Sequence, residues 1–302
     1  SIYWGIRRKF WIIIPLIAIA ANWQYLGRIF QPPFTAGGKE ANTLKIATYN
    51  VDSFGNEQSG YSCKEIAAYM KEHRVDIICF QEFAGNRYFT SDSIRNAFAD
   101  WQYAVIPQAP DSTPILQVAL FSKYPVKDSR LITYPDSRNC SMWCDLDVNG
   151  QTVRVFNNHL QTTEVNQNKR RLERELAKNE LTGREEAVAK QLLEGLNENF
   201  RKRAAQAKTL EQLIRTTPYP ILVCGDFNSL PSSYTYSTVK GDNLQDGFQT
   251  CGHGYMYTFR YFKRLLRIDY IFHSKEFKGA DYYSPDLDLC SDHNPVVMEV
   301  KM

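Results

Sequence analysis

From Leu44 to the C-terminus one pattern recurs: a short apolar run stops on an acid, an amide or an imidazole. Leu44–Tyr49 runs into Asn50 and Asp52, and Val75–Phe80 into Gln81 and Glu82. Thr152–Asn157 leads to Asn158 and His159, and Ile221–Cys224 to Gly225, Asp226, Phe227 and Asn228. Asp269 interrupts the apolar Ile268–Phe272, while Ser291, Asp292 and His293 precede Val296–Val300. Runs of this length, rich in branched and aromatic residues, read as strands. Further strands are expected at Val118–Ser122, Ser129–Thr133 and Cys144–Val148, the last turning at Asn149-Gly150. Helical spacing is confined to a few places, among them Cys63–His73 through Ile66, Ala67, Tyr69 and Met70. Many strands, few helices and no regular βαβ alternation predict an α+β sandwich over a doubly wound sheet.

If the polar strand ends converge, they form a pocket of carboxylates, amides and two imidazoles. Hard divalent cations prefer oxygen ligands, and Mg²⁺ takes one or two carboxylates together with water and phosphate. Glu82 is the natural ligand, with Asn50 beside it and Asp52 or Asp292 as further candidates. Hydrolysis also needs a base for water, which Asp226 supplies when oriented with Asn228. A protonated His293 would donate to a phosphoryl oxygen, its ring held and its charge favoured by Asp269. Each fragment alone is weak, since Gly-Asp-Phe-Asn is more often a turn and Ser-Asp-His a loop. Asp269 is harder to dismiss, because a carboxylate inside an apolar strand needs a partner.

The apolar run Phe10–Leu26 follows Arg7, Arg8 and Lys9. It sits at the short end of the roughly 17–25 residues needed to cross a bilayer. Three readings are open: a membrane span, a signal peptide cleaved near Ala18-Ile19-Ala20, or a buried helix of the domain. Trp23 and Tyr25 suit an interfacial belt, and apolar Ile2-Tyr3-Trp4 suits a loop between spans, so the span is expected. The basic flank then puts the rest of the chain on the extracytoplasmic side of an inner membrane. Gln31–Asn42, with Pro32-Pro33 and Gly37-Gly38, reads as a linker. The expected organisation is a membrane segment at 1–30, a linker at 31–43 and a catalytic domain at 44–302.

The net charge of +3 gives no electrostatic case for a nucleic-acid partner. Apolar residues at 43% and charged residues at 23% fit a folded globular chain. The seven cysteines include no C-x-x-C pair, which argues against structural zinc. Cys79 and Cys224 read as small buried hydrophobes, and no bridge is assigned. The segment 163–216 is rich in Glu, Lys, Arg, Leu and Ala and reads as two helices broken near Thr182-Gly183. Its Lys169-Arg170-Arg171 is read as a solvated helix face rather than a phosphate site.

Taken in order, Tyr-Asn-Val-Asp, Gln-Glu, Asn-x-His-Leu, Arg-x-x-Gln, Gly-Asp-Phe-Asn, Arg-Ile-Asp-Tyr-Ile-Phe and Ser-Asp-His-x-Pro-Val resemble the endonuclease/exonuclease/phosphatase superfamily, DNase I-like. The resemblance runs from Leu44 to Met302 and implies a four-layer αββα sandwich with the site at the sheet edges. It implies a metal, Mg²⁺ or Mn²⁺, on Glu82 beside Asn50 with Asp292 close by. It further implies Asp226 as the activator of water, Asn228 and His159 on the phosphate, and His293 paired with Asp269. Arg203 and Gln206 match the family's Arg-x-x-Gln, and Arg203 and Asn157 are expected at the substrate. The helical stretch 163–216 is longer than the usual connection and reads as an insertion. The implied activity is hydrolysis of a phosphate ester. Lipid, nucleotide and nucleic acid all stay open as substrate, and membrane attachment tilts toward the first two. A nuclease would need a basic groove. A binding module without catalysis would have no need of Glu82, His159, Asp226, Asp269 and His293. No obligate protein partner is expected.

Overall fold

The computed structural model describes residue 3 and residues 10–33, 43–109, 114–163 and 185–302. The basic flank at 7–9, most of the expected linker, the Lys169-Arg170-Arg171 run and the break near Thr182-Gly183 lie outside the described residues.

In chain order, a 3₁₀ turn at Phe10–Ile12 leads into α1 (Ile13–Ala21), α2 (Trp23–Leu26) and β1 (Phe30–Gln31). There follow β2 (Thr43–Asn50), α3 (Tyr61–Glu72), β3 (Ile77–Gln81), α4 (Ser91–Ala97), β4 (Tyr103–Val105) and β5 (Ala119–Ser122). Next come β6 (Val126–Thr133), β7 (Cys140–Val148), β8 (Gln151–His159), α5 (Glu185–Arg215) and β9 (Ile221–Asp226). The chain ends with α6 (Tyr234–Lys240), β10 (Leu244–Asp246), α7 (Gly247–Cys251), β11 (Gly254–Tyr255), β12 (Asp269–Ser274), β13 (Lys278–Tyr283) and β14 (Val296–Lys301).

Two six-stranded sheets form, ordered β13-β14-β2-β3-β5-β4 and β10-β12-β9-β8-β7-β6. Strand alternation sorts their side chains into three cores. Leu44, Ile46, Ile77, Cys79, Leu146, Val155, Cys224 and Met298 meet between the sheets. Ala47, Tyr49, Ile78, Phe80 and Phe121 point outward, onto Cys63, Ile66 and Met70 of α3 and Ile94 of α4. Phe156, Val223, Tyr270 and Phe272 point outward from the other sheet, onto Ala207, Leu210 and Ile214 of α5 and Tyr236 of α6. Helix, sheet, sheet and helix stack as expected. All seven cysteines are free thiols, with Cys79 and Cys224 in the inter-sheet core.

The N-terminal run departs from expectation. Asn22 leaves the helical region at φ −106° and ψ 12° and splits the apolar stretch in two. Its Nδ2 donates to the Ala18 carbonyl at 2.8 Å, a side-chain bond that competes with helix continuation. Among the described residues no helix is long and apolar enough to cross a membrane. Nor does the run pack as a buried helix of the domain, since Phe10–Ala21 buries no side chain. The expected linker begins instead as β1, paired antiparallel with β11 through Phe30–Tyr255 and Gln31–Gly254.

Candidate active site

Parallel pairing sets the geometry. In the first sheet β2 and β3 run parallel, so Asn50 ends level with Gln81, one residue before Glu82. In the second, β8 and β9 run parallel, so His159 ends level with Asp226. Antiparallel β12 then starts with Asp269 opposite Asp226. Asn50 joins the sheets, its Nδ2 donating to Glu82 Oε1 at 3.0 Å and Asp226 Oδ2 at 3.1 Å. The dispersed acids and imidazoles therefore meet at one end of the sandwich.

His293 lies between two buried carboxylates. Its Nδ1 sits 2.9 and 3.1 Å from the oxygens of Asp269, and its Nε2 sits 3.7 Å from Asp226 Oδ2. Burial disfavours the imidazolium, but Asp269, Asp226 and Asp292 outweigh it and push the pKa up to about 10. Asp226 accepts from the backbone N–H of Asn228 at 2.8 Å and from its Nδ2 at 3.2 Å. Burial raises the pKa of this carboxyl, with the nearby imidazoles opposing. His159 brings its Nε2 to 3.6 Å from Glu82 Oε1 and 3.8 Å from Asp226 Oδ2, while its Nδ1 is buried without a partner. Glu82, Asp226, Asn228 and His293 line a cleft of about 1130 Å³ together with Asp52 and Asp292.

The backbone is strained where it delivers the site. Asp52, Glu82 and Asn228 take left-handed φ values of 43°, 49° and 47°, each costing on the order of 1–3 kcal/mol and held by the surrounding structure. Ser53 N–H to the Glu82 carbonyl at 2.8 Å is one such restraint. Gly225 sits at φ +133°, and a Cβ there would lie 1.9 Å from the Asn158 oxygen. Only glycine lets β9 approach β8 closely enough to place Asp226.

A family profile described as Endonuclease/Exonuclease/phosphatase family matches residues 47–293. The chain belongs to this family. An endonuclease/exonuclease/phosphatase from Bacteroides vulgatus shares the fold at 18% identity and a TM-score of 0.61, covering 87% of this chain and 100% of its own. Truncated TDP2 from Caenorhabditis elegans is 16% identical with a TM-score of 0.61, over 86% of this chain and 98% of its own. A mannosyl-6-phosphatase from Bacteroides thetaiotaomicron is 17% identical with a TM-score of 0.58, over 86% of this chain and 100% of its own. At such identities the likeness is one of fold. No curated protein matches the chain.

Two residues expected at the substrate, Asn157 and Arg203, are buried in the structure and do not line the cleft. Asn157 is fully buried and ties the sheets together. Its Oδ1 accepts from Gln81 Nε2 at 2.6 Å, and its Nδ2 donates to the carbonyls of Phe80 at 3.0 Å and Ala119 at 2.9 Å. Both its amide hydrogens are used and the side chain is wholly buried, out of a substrate's reach. Arg203 on α5 is 1% exposed and donates to the Gln161 carbonyl at 2.6 Å, so it braces the cleft wall from behind. Gln206, one turn on, accepts from the Gln161 N–H at 2.8 Å. Arg267, one of the basic residues flanking the aromatic stretch Tyr255–Phe262, is buried in an ion pair with Asp246 at 2.8 Å.

Sequence reasoning also missed residues that position the site. Ser291 Oγ donates to the Asn50 carbonyl at 2.6 Å and accepts from the His293 N–H at 3.0 Å. Thr258 Oγ1 accepts from the N–H groups of Ile268 at 3.0 Å and Asp269 at 3.1 Å, fixing the start of β12. Arg260 Nη1 donates to the carbonyls of Leu289 at 3.1 Å and Ser291 at 3.3 Å, ordering the loop that carries His293. Ser291 stands in the Ser-Asp-His motif but carries no expected role there, while Thr258 and Arg260 lie in loops that leave no periodic signal.

The donor set fits a hard divalent ion. Asp52 faces solvent, which screens it, yet its carboxyl is raised to about 6, first by burial and then by Glu82 and Asp292. Burial raises Asp292 as well, with His293 opposing and Glu82 and Asp226 adding. Crowded carboxylate oxygens of this kind are Mg²⁺-type ligands. The ligand atoms of Asp226, Asp269 and His293 also lie within 4.8 Å of one another. His293 Nδ1, however, is already engaged by Asp269, which suits a proton-transfer chain better than an ion cage.

Proposed function

We propose that this chain is a metal-dependent phosphoric ester hydrolase, with Glu82, Asp52 and Asp292 holding Mg²⁺ or Mn²⁺ and Asn50 orienting Glu82. The observation that carries this reading is the Asp269–His293–Asp226 chain facing three further carboxylates in one cleft. The ion would neutralise charge developing on the phosphoryl group. Asp226, fixed by Asn50 and Asn228, accepts the proton of the attacking water. Water adds to phosphorus, the P–O bond to the alcohol breaks, and the alkoxide takes a proton from solvent, balanced by the proton that Asp226 returns to solvent. His293, kept cationic by Asp269, donates to a non-bridging oxygen, and His159 and Asn228 hold another. Among the described residues lining the cleft the basic side chains are Arg260 and Arg264, a sparse track for a nucleic-acid strand.

Turnover of bis-p-nitrophenyl phosphate with Mg²⁺ or Mn²⁺ tests this. Hydrolysis should stop with EDTA and fall about 10³-fold in Asp226→Ala and His293→Ala. Wild-type rates in either variant would remove the mechanism. We also place the domain at an inner membrane, facing the extracytoplasmic side. The supports are the exposed apolar run Phe10–Leu26 and the basic Arg7-Arg8-Lys9 before it. Protease accessibility in spheroplasts against inverted vesicles tests that placement.

A further inference from the structure

The N-terminal segment docks on the catalytic domain beside the cleft. Arg28 Nη1 donates to the Pro231 carbonyl at 2.8 Å, and Arg267 Nη2 donates to the Arg28 carbonyl at 2.8 Å. With the β1–β11 pairing, these bonds fix residues 25–31 against the loop that follows Asn228. The docking forms one wall of a second, open cavity of about 230 Å³. Its walls include Tyr25 and Ile29 from the segment and Leu230, Tyr255, Met256 and Leu265 from the domain.

Three features define what this chamber takes. Arg267 is committed to Asp246, while Arg28 donates to the Pro231 carbonyl and lies 5.0 Å over the Tyr25 and Tyr236 rings, so the wall holds one cation among apolar and aromatic side chains. Its apolar side chains stay open to solvent, with Ile29 44%, Leu230 42% and Leu265 60% exposed. The chamber also adjoins the main cleft, since Leu230, Ser232 and Leu266 line both, and Leu230 follows Asn228 by two residues. One molecule can therefore place a phosphate at Asp226 and His293 and an apolar group in the chamber. The apolar run Phe10–Leu26, which buries none of its side chains through Ala21, leads directly into the chamber wall at Tyr25.

We infer that this chamber is a subsite for the hydrocarbon part of an amphipathic phosphate ester whose phosphate occupies the main cleft. The inference rests on the phosphoester reading above and narrows its substrate class. The chain's own N-terminal segment completes the subsite, so the tether and the specificity pocket are one element.

The test uses the full chain with Mg²⁺ and p-nitrophenyl alkyl phosphodiesters from methyl to octyl, kept below their micellar concentrations. Water attacks phosphorus and p-nitrophenolate leaves, so the alkyl group stays bound as the monoester product. The expected kcat/KM rises about two- to fourfold per methylene and then levels off as the chamber fills. Ile29→Asp and Leu265→Asp, both at exposed positions, should each cut the octyl-to-methyl ratio at least about tenfold. The ratio of inhibition by octyl phosphate to methyl phosphate should fall in parallel, a readout independent of turnover. A methyl ester that turns over with no chain-length dependence, or a slope unchanged in both variants, overturns the subsite alone. A methyl ester that does not turn over with metal overturns the phosphoester reading, and the subsite with it.

Discussion

Asp226 and Tyr261 line the same cleft but are held in opposite ways. Asp226 ends a central strand, is buried, and takes bonds from Asn50 at the end of β2 in the other sheet and from Asn228 in the loop that follows β9. Tyr261 lies on a loop, is 51% exposed, and meets Phe259 edge-on at 5.6 Å. The three residues after it, Phe262, Lys263 and Arg264, all take left-handed φ values near the cleft mouth, at 51°, 58° and 59°. The floor is over-determined by two sheets. The mouth is a strained, exposed loop held by surface contacts such as Arg264 to Asp286 at 3.4 Å, which constrain less than a buried strand does. The contrast teaches that the sandwich fixes the chemistry, while the loops are free to set what enters.

The largest effect should come from disturbing the floor through its backbone. Gly225→Ala puts a Cβ against the Asn158 carbonyl at a φ that L-residues avoid. It should cost about 3 kcal/mol or more in urea unfolding and lower activity per folded molecule as well. A variant with wild-type stability would show that β8 and β9 give way easily and that the floor is not rigid.

Asp269→Asn acts on one proton carrier. It removes the main partner that favours the His293 cation while keeping the shape of the side chain. We expect kcat to fall about 10²-fold with KM nearly constant. A loss confined to KM would make Asp269 a binding element and blur the distinction between floor and mouth.

At the mouth, Tyr261→Ala and Phe262→Ala should change kcat/KM for bis-p-nitrophenyl phosphate by no more than about threefold, as exposed positions usually do. If either matches the loss in Asp269→Asn, the loop belongs to the catalytic machinery.

What was legible in the sequence divides along the same line. Strands β2, β3, β8, β9, β12 and β14 were readable because apolar runs ending on polar residues are a local signal. Of the candidates at their ends, Asp52, Glu82, Asp226, Asn228, Asp292 and His293 line one cleft, and His159 and Asp269 are buried against them. Asn157 was misplaced because it shares a face with His159 but lies two residues deeper in β8, where it bonds the carbonyls of Phe80 and Ala119 in the other sheet. Arg203 was misplaced because a helix can present an arginine inward when a carbonyl waits for it, and Gln161 supplies one. Short edge strands such as β4 and β10 lacked enough residues to show a period. The docking of residues 25–31 depends on Pro231, Asp246 and Arg267, more than 200 positions away. No local pattern encodes contacts of that range.

The smallest expected effect separates stability from chemistry on one strand. β12 carries Asp269 at the cleft and His273 at its far end, where the ring meets Thr250 Oγ1 at 3.0 Å and the Ser274 carbonyl at 3.0 Å. Burial holds the His273 pKa below its usual 6.5. The folded state therefore resists protonation that the unfolded chain accepts below that value. Stability from this residue is complete above pH 6.5 and declines as the pH falls toward the folded pKa. The decline is at most about 1.4 kcal/mol per pH unit for a single proton. Urea midpoints at about pH 7.5 and about pH 5.5 should diverge less in His273→Gln than in wild type. Turnover per folded molecule should stay equal in the two proteins at both pH values, because His273 touches nothing in the cleft. If turnover changed with the midpoint, the ends of β12 would be coupled, and the floor would answer to strain from outside the site.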